Sequence, residues 1–289
     1  VYGLDFRMKR TLLTVFALLS YLAGWAAAQS GAPSIAASYG LSYLLLDDDS
    51  SASPQVQAEN QTPAVLIAPA PSLPRMSPEL TLQTYRNRVA QQAALLSSYS
   101  ANSVILAQLP ATQQFGECDL QRLYSAPHTL EFKSVRFVGD GFVKSNVILR
   151  LLQSEVDHVQ KDDPAATALS DDNYKFSYKN TTQLQNRPVH VFQLKPRANR
   201  PGLFKGKIYL DAHTGNMVRA EGRVAKSPSL FIKRIEFVQD YKEFGAFTFP
   251  VHTHSEARTR LVGRAIVDIY HYDYQPIAST QTAQLATSH

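Results

Sequence analysis

Gly206-Lys207-Ile208-Tyr209-Leu210-Asp211-Ala212-His213-Thr214-Gly215-Asn216-Met217-Val218-Arg219-Ala220-Glu221 is the stretch whose reading decides the fold. Lys207–Asp211 and Met217–Val224 are extended runs, and His213-Thr214-Gly215-Asn216 between them is turn chemistry, so the segment is a β-hairpin. Upstream, Tyr174, Phe176 and Tyr178 alternate with Lys175, Ser177 and Lys179. That period of two puts three aromatic rings on one face of a half-buried strand. Asn186-Arg187-Pro188 then turns the chain into Val189–Lys195, and Pro196–Gly202 forms a loop.

Downstream, Lys226-Ser227-Pro228 is a turn, and three long extended segments follow: Leu230–Tyr241, Phe247–Ala257 and Leu261–Tyr274. Nearer the N-terminus, Val104–Leu109, Glu117–Tyr124 and Thr129–Val138 are separated by Pro110, Gly116, Pro127 and Gly139-Asp140-Gly141. Two segments have the helical period instead. Pro78 to about Tyr99 carries Tyr85, Val89, Ala93 and Leu96 on one stripe, with Pro78 in the first turn. Phe142–Gln160 carries Val143, Val147, Ile148, Leu151, Leu152, Val156 and Val159, and Asp162-Asp163-Pro164 ends it. The expected fold is α+β: a curved antiparallel sheet of about nine strands with two helices on its concave side.

Two such helices span only about 30 Å each and do not seal a sheet that wide, so curling it around them leaves a cleft. With 14 Tyr and 14 Phe in the chain, aromatic and aliphatic side chains either line that cleft, a surface suited to alkyl chains, or fill it as an ordinary packed interior. The expected lining is Tyr174, Phe176 and Tyr178 on one strand, Ile208 and Leu210 on the hairpin, and Phe231, Ile235, Phe237, Phe247 and Phe249 farther on. A one-residue slip in register moves each to the opposite face.

The first residues read as an export signal. Met8-Lys9-Arg10 is a short basic segment, Leu12 to Ala23 an apolar one, and Ala26-Ala27-Ala28 a small-residue cleavage site. The apolar run is shorter than the roughly 20 residues of a membrane span, which argues against a retained anchor. Trp25 follows Leu22-Ala23-Gly24 where a lipidated cysteine would stand. The expected division is therefore a signal peptide over 1–28, with 1–7 ahead of the start at Met8, and a disordered Pro/Ala/Ser-rich tether over 29–77. The folded domain covers 78–275 and a disordered tail 276–289. Leu41 and Tyr43–Leu46 form a short apolar cluster within the tether.

The chain carries 29 basic and 24 acidic side chains; without Arg7, Lys9, Arg10 and Asp5 these fall to 26 and 23, too mild a surplus for a nucleic-acid partner. Cys118 is the only cysteine, so no intramolecular disulfide forms and stability rests on an ordinary core. Flanked by Glu117 and Asp119, its thiol reads as inert packing. There is no Gly-x-Ser-x-Gly nucleophile elbow, and Gly139-Asp140-Gly141 lacks the spacing of a phosphate loop. His252 and His254 share a strand face and His271 lies on the next strand, a candidate zinc set without a carboxylate base at motif spacing; no metal or other cofactor is expected. Lys195, Arg197, Arg200, Lys205 and Lys207 cluster around a Pro/Gly loop, suited to lipid headgroups or an acidic partner, or simply to solvent.

Gly206–Asp211, Thr214–Glu221, Phe237 and Phe249-Pro250, set in the order helix, three strands, helix and meander, resemble the LolA/LolB-like superfamily over about Pro78 to Tyr274. The resemblance implies an unclosed β half-barrel lidded by helices, whose apolar cavity holds lipoprotein acyl chains. The long tether and the missing lipid-anchoring cysteine depart from that pattern. The function expected is a non-catalytic carrier of lipid or lipoprotein acyl chains, periplasmic or secreted, with at most peripheral membrane contact. The other reading is an envelope structural or sensory module that uses the same sheet to bind a protein.

Overall fold

The computed structural model describes residues 74–161, 164–226, 232–260 and 262–279. The expected signal peptide, most of the tether with its apolar cluster, and nearly all of the tail lie outside them, as does Phe231. Helix α1 (Pro78–Leu95) leads directly into β1 (Leu96–Leu109), followed by β2 (Gln114–Ser125) and β3 (Thr129–Gly139). A helical turn at Gly141–Val143 and a π-helical stretch at Lys144–Ile148 open into α2 (Leu149–Lys161). The remaining strands are β4 (Tyr174–Leu184), β5 (Arg187–Pro196), β6 (Phe204–Asp211), β7 (Met217–Val224), β8 (Ile232–Phe244), β9 (Phe247–Thr259) and β10 (Arg264–Ala278).

All ten strands form one curved antiparallel sheet in the order β3-β2-β1-β10-β9-β8-β7-β6-β5-β4, one strand more than the sequence suggests. Every neighbour is also adjacent in sequence except at the β1–β10 seam, where Val104 opposes Tyr270 and Ala107 opposes Val267. The outermost strands β3 and β4 are each paired on one side only, so the sheet is an unclosed half-barrel. The chain crosses between these two edges through α2. Burial alternates along β1 and β2, so one face of each carries the core.

Both helices cover that inner face. The π-helical stretch and α2 bury Val147, Ile148, Leu151 and Leu152 against Ile105, Leu120, Leu194 and Ile208, and each fully buried aliphatic side chain contributes about 1.5–3 kcal/mol. By contrast, α1 buries only Thr81 and Tyr85. Its N-terminus is capped by Ser77, whose hydroxyl accepts from the Leu80 amide at 3.2 Å. The helix ends at Leu95, not Tyr99, because Leu96–Tyr99 belongs to β1. A bulge between Leu96 and Ser98 brings Leu96 and Tyr99 onto the same face, which imitates helical spacing in the sequence.

Candidate functional site

Two elements build the site: the second half of α1 and the connection from α2 to β4. The base of α1 is fixed by the hairpin read first. Met76 N donates to Ala212 O at 2.8 Å, and a His190 ring nitrogen lies 2.9 Å from Met76 O. Gly215, at φ 74°, sits under Thr84; a Cβ there would come within 2.9 Å of the Thr84 methyl. Glycine is thus required both for the left-handed turn and for the approach of the helix.

The connection is held by polar side chains and by Leu169, which is buried in the larger core cluster. Asn173 Nδ2 donates to the carbonyls of Ala165 and Ala168, each at 2.8 Å. Arg200 donates to Ala166 O at 2.7 Å and to Asn173 Oδ1, and Arg197 Nε donates to Asp171 O at 2.6 Å. These charge-assisted bonds fix the loop backbone as a wall. The basic cluster seen in the sequence therefore divides: Arg197 and Arg200 brace this wall, while Lys195, Lys205 and Lys207 are exposed on the sheet.

Between wall and helix lies a cleft of about 360 Å³, lined by Val89, Ala90 and Ala93 of α1 and by Pro164, Ala165, Ala168 and Leu169 of the loop. Arg86 and Asp171 close one end, their side chains 2.7 Å apart. The Arg86 guanidinium lies over the Phe176 ring at 4.8 Å, and its Nε is buried without a hydrogen-bond partner. Val89 and Ala93 belong to the apolar stripe read on the first helix. Ala90, Ala165 and Ala168 carried no periodic signal, and only a short side chain on both walls leaves such a gap open.

The side chains expected to line a cavity are distributed across the inner face. Tyr174, Ile208, Leu210, Ile235 and Phe237 are buried in the larger core cluster with Tyr85 and Leu151. Phe176 is half-buried and packs on that cluster, while Tyr178 is 44% exposed at the β4 edge. Phe247 and Phe249 belong to a second, aromatic cluster with Tyr99, Tyr124 and Tyr274, where the Phe249 and Tyr274 rings stack at 4.5 Å.

The inner face also holds buried polar groups. The Arg122 guanidinium forms a buried ion pair with Glu155 of α2, and its Nε donates to the Tyr99 hydroxyl at 2.9 Å. His271 Nδ1 lies 2.7 Å from Ser103 Oγ. Burial, and then the nearby Arg122 charge, lowers the His271 pKa to about 3, so the ring is neutral. His252 and His254 stand on the opposite, outer face, 3.0 and 2.9 Å from Asp268 Oδ1. The three histidines thus share no site, and among the described residues no group of three His, Cys, Asp or Glu is placed to hold a metal ion. Cys118 is buried in the core. Asp140 ties its turn to β2 by accepting from the Phe115 amide at 2.9 Å.

No protein-family model matches the chain, and no curated protein matches it. Among solved structures the chain is similar to a DUF1329 family protein from Desulfovibrio piger, with 8% identity and a TM-score of 0.38 over 73% of this chain and 97% of that one. It is similar to a putative outer membrane lipoprotein-sorting protein domain from Vibrio parahaemolyticus, with 12% identity and a TM-score of 0.35 over 71% and 95%. It is also similar to a LolA superfamily protein from Nitrosomonas europaea, with 9% identity and a TM-score of 0.33 over 68% and 92%.

Proposed function

We propose that the protein is an extracytoplasmic, non-catalytic carrier that holds the acyl chain of a lipid or lipoprotein in the cleft between α1 and the loop 164–172. The observation that carries this reading is the cleft itself: about 360 Å³ with walls of alanine, valine, leucine and proline, and the Arg86–Asp171 ion pair with Ser170 and Asp172 as its polar part. That volume lies in the range of small-molecule pockets. Each methylene moved from water into such a space contributes about 0.8 kcal/mol before ordering costs are deducted. The apolar stripe of α1 is left half-covered by its own fold, so a guest chain completes the burial. Of the side chains named from the sequence, Phe176 stands nearest, beneath Arg86; the other buried ones form the floor on which α1 and α2 rest.

Native mass spectrometry after gentle extraction is the test, with Ala90→Trp and Ala168→Trp as variants that fill the gap from either wall. Co-purified lipid is expected with the natural sequence and at least about tenfold less with either variant. Lipid retained at full occupancy in both removes the cleft from consideration. The alternative, a protein-interaction module, draws on β4, which is exposed from Ser177 to Gln183 and has one unpaired edge suited to strand addition. A co-purified protein without lipid favours it.

A further inference from the structure

We propose that one end of the outer sheet face is a docking surface for anionic phospholipid bilayers. Seven consecutive strands each place a cation there: Lys175 on β4, Lys195 on β5, Lys205 on β6, Arg223 on β7, and then Arg234, Arg258 and Arg264 on β8, β9 and β10. All seven are exposed, and the first four stand beside inward-facing Tyr174, Leu194, Phe204 and Val224, which puts them on the face away from the core. Like charges sit directly opposite one another at Lys175–Lys195, Lys205–Arg223, Arg234–Arg258 and Arg258–Arg264. Such pairs are destabilising in a bare sheet. At the usual strand spacing the band is about 30 Å wide.

The acids around this band are already engaged. Glu236 is taken by Arg234, Glu256 by Arg264 and Glu221 by Lys207 and Tyr209. Lys175, Lys195, Lys205, Arg223 and Arg258 have no ion pair among the described residues, so five positive charges are left for an external anion. A shallow depression of about 460 Å³, bordered by Lys205, Arg223 and Arg234 together with the engaged Glu221 and Glu236, lies within the band. Among the described residues the exposed large hydrophobics lie elsewhere. Among the described residues the band carries no exposed large apolar side chain, so it shows neither the apolar core of a protein interface nor an exposed ring on which a nucleic-acid base would stack. It matches a fluid layer of anionic headgroups.

This surface is separate from the cleft and holds whether or not the cleft takes an acyl chain. Co-flotation of the full chain with vesicles of phosphatidylcholine alone, or with one third phosphatidylglycerol, tests it. Binding is expected to the anionic vesicles only, and to fall at least about tenfold between 0.05 and 0.5 M salt. Lys195→Glu with Arg223→Glu should lower it by more than about tenfold. Lys133→Glu with Lys242→Glu, exposed and outside the band, changes the net charge equally and should lower it much less. Equal loss in the two double variants, salt-independent capture by neutral vesicles, or binding to polyglutamate or DNA without binding to vesicles would overturn the proposal.

Discussion

His271 and Arg122 show how single buried groups set the limits of this fold. An imidazole titrates near 6.5 in an unfolded chain, whereas the buried His271 ring accepts a proton only at about 3. Between those values the unfolded chain holds a proton that the folded one does not. Stability from this group is complete above about pH 6.5 and falls by about 1.4 kcal/mol per unit as pH drops toward 3. Urea unfolding at pH 7.5, 6 and 5 should show this slope, and His271→Gln should flatten it. Arg122 raises a different question, because its guanidinium and the Glu155 carboxylate are both buried. Arg122→Leu strands a carboxylate in the core and is expected to cost about 3–5 kcal/mol, while Arg122→Leu with Glu155→Leu should recover most of it in the same assay. Neither role was legible in the sequence. Arg122 follows alternating strand residues and Glu155 sits among helical ones, and only the packing of α2 on β2 brings them together.

At the level of elements, the two helices are unequal. The helical run Gly141–Lys161 buries a continuous stripe, and the period of Val143, Val147, Leu151 and Leu152 made it readable from the sequence. Helix α1 buries two side chains and faces the cleft with Val89, Ala90 and Ala93. Its amides should therefore exchange with solvent well before those of α2, by about tenfold or more, as followed by hydrogen–deuterium exchange. Equal protection of both helices would contradict this ordering. Strand positions were read well where residues alternate, as at Tyr174–Tyr178. The end of α1 was not, because the bulge at Leu96–Ser98 gives strand residues a three-residue spacing. The cleft walls were half legible: Val89 and Ala93 lie on a stripe, but alanines in a loop announce nothing until Asn173, Arg197 and Arg200 are seen to hold them.

For the whole molecule, the curved open sheet followed from the run of extended segments joined by short turns, while its closing partnership did not. Pairing of β1 with β10 joins residues far apart in the chain, and no local pattern encodes it. That seam has a consequence for biogenesis. A ribosome completes β1 at Leu109, but its mate ends only at Ala278, about 170 residues later. At ordinary synthesis speeds the nascent three-stranded flap waits roughly 10 to 30 seconds with its β1 margin bare. Throughout that interval the newborn polypeptide presents an open template to any passing chaperone, or to a sibling chain in the same condition.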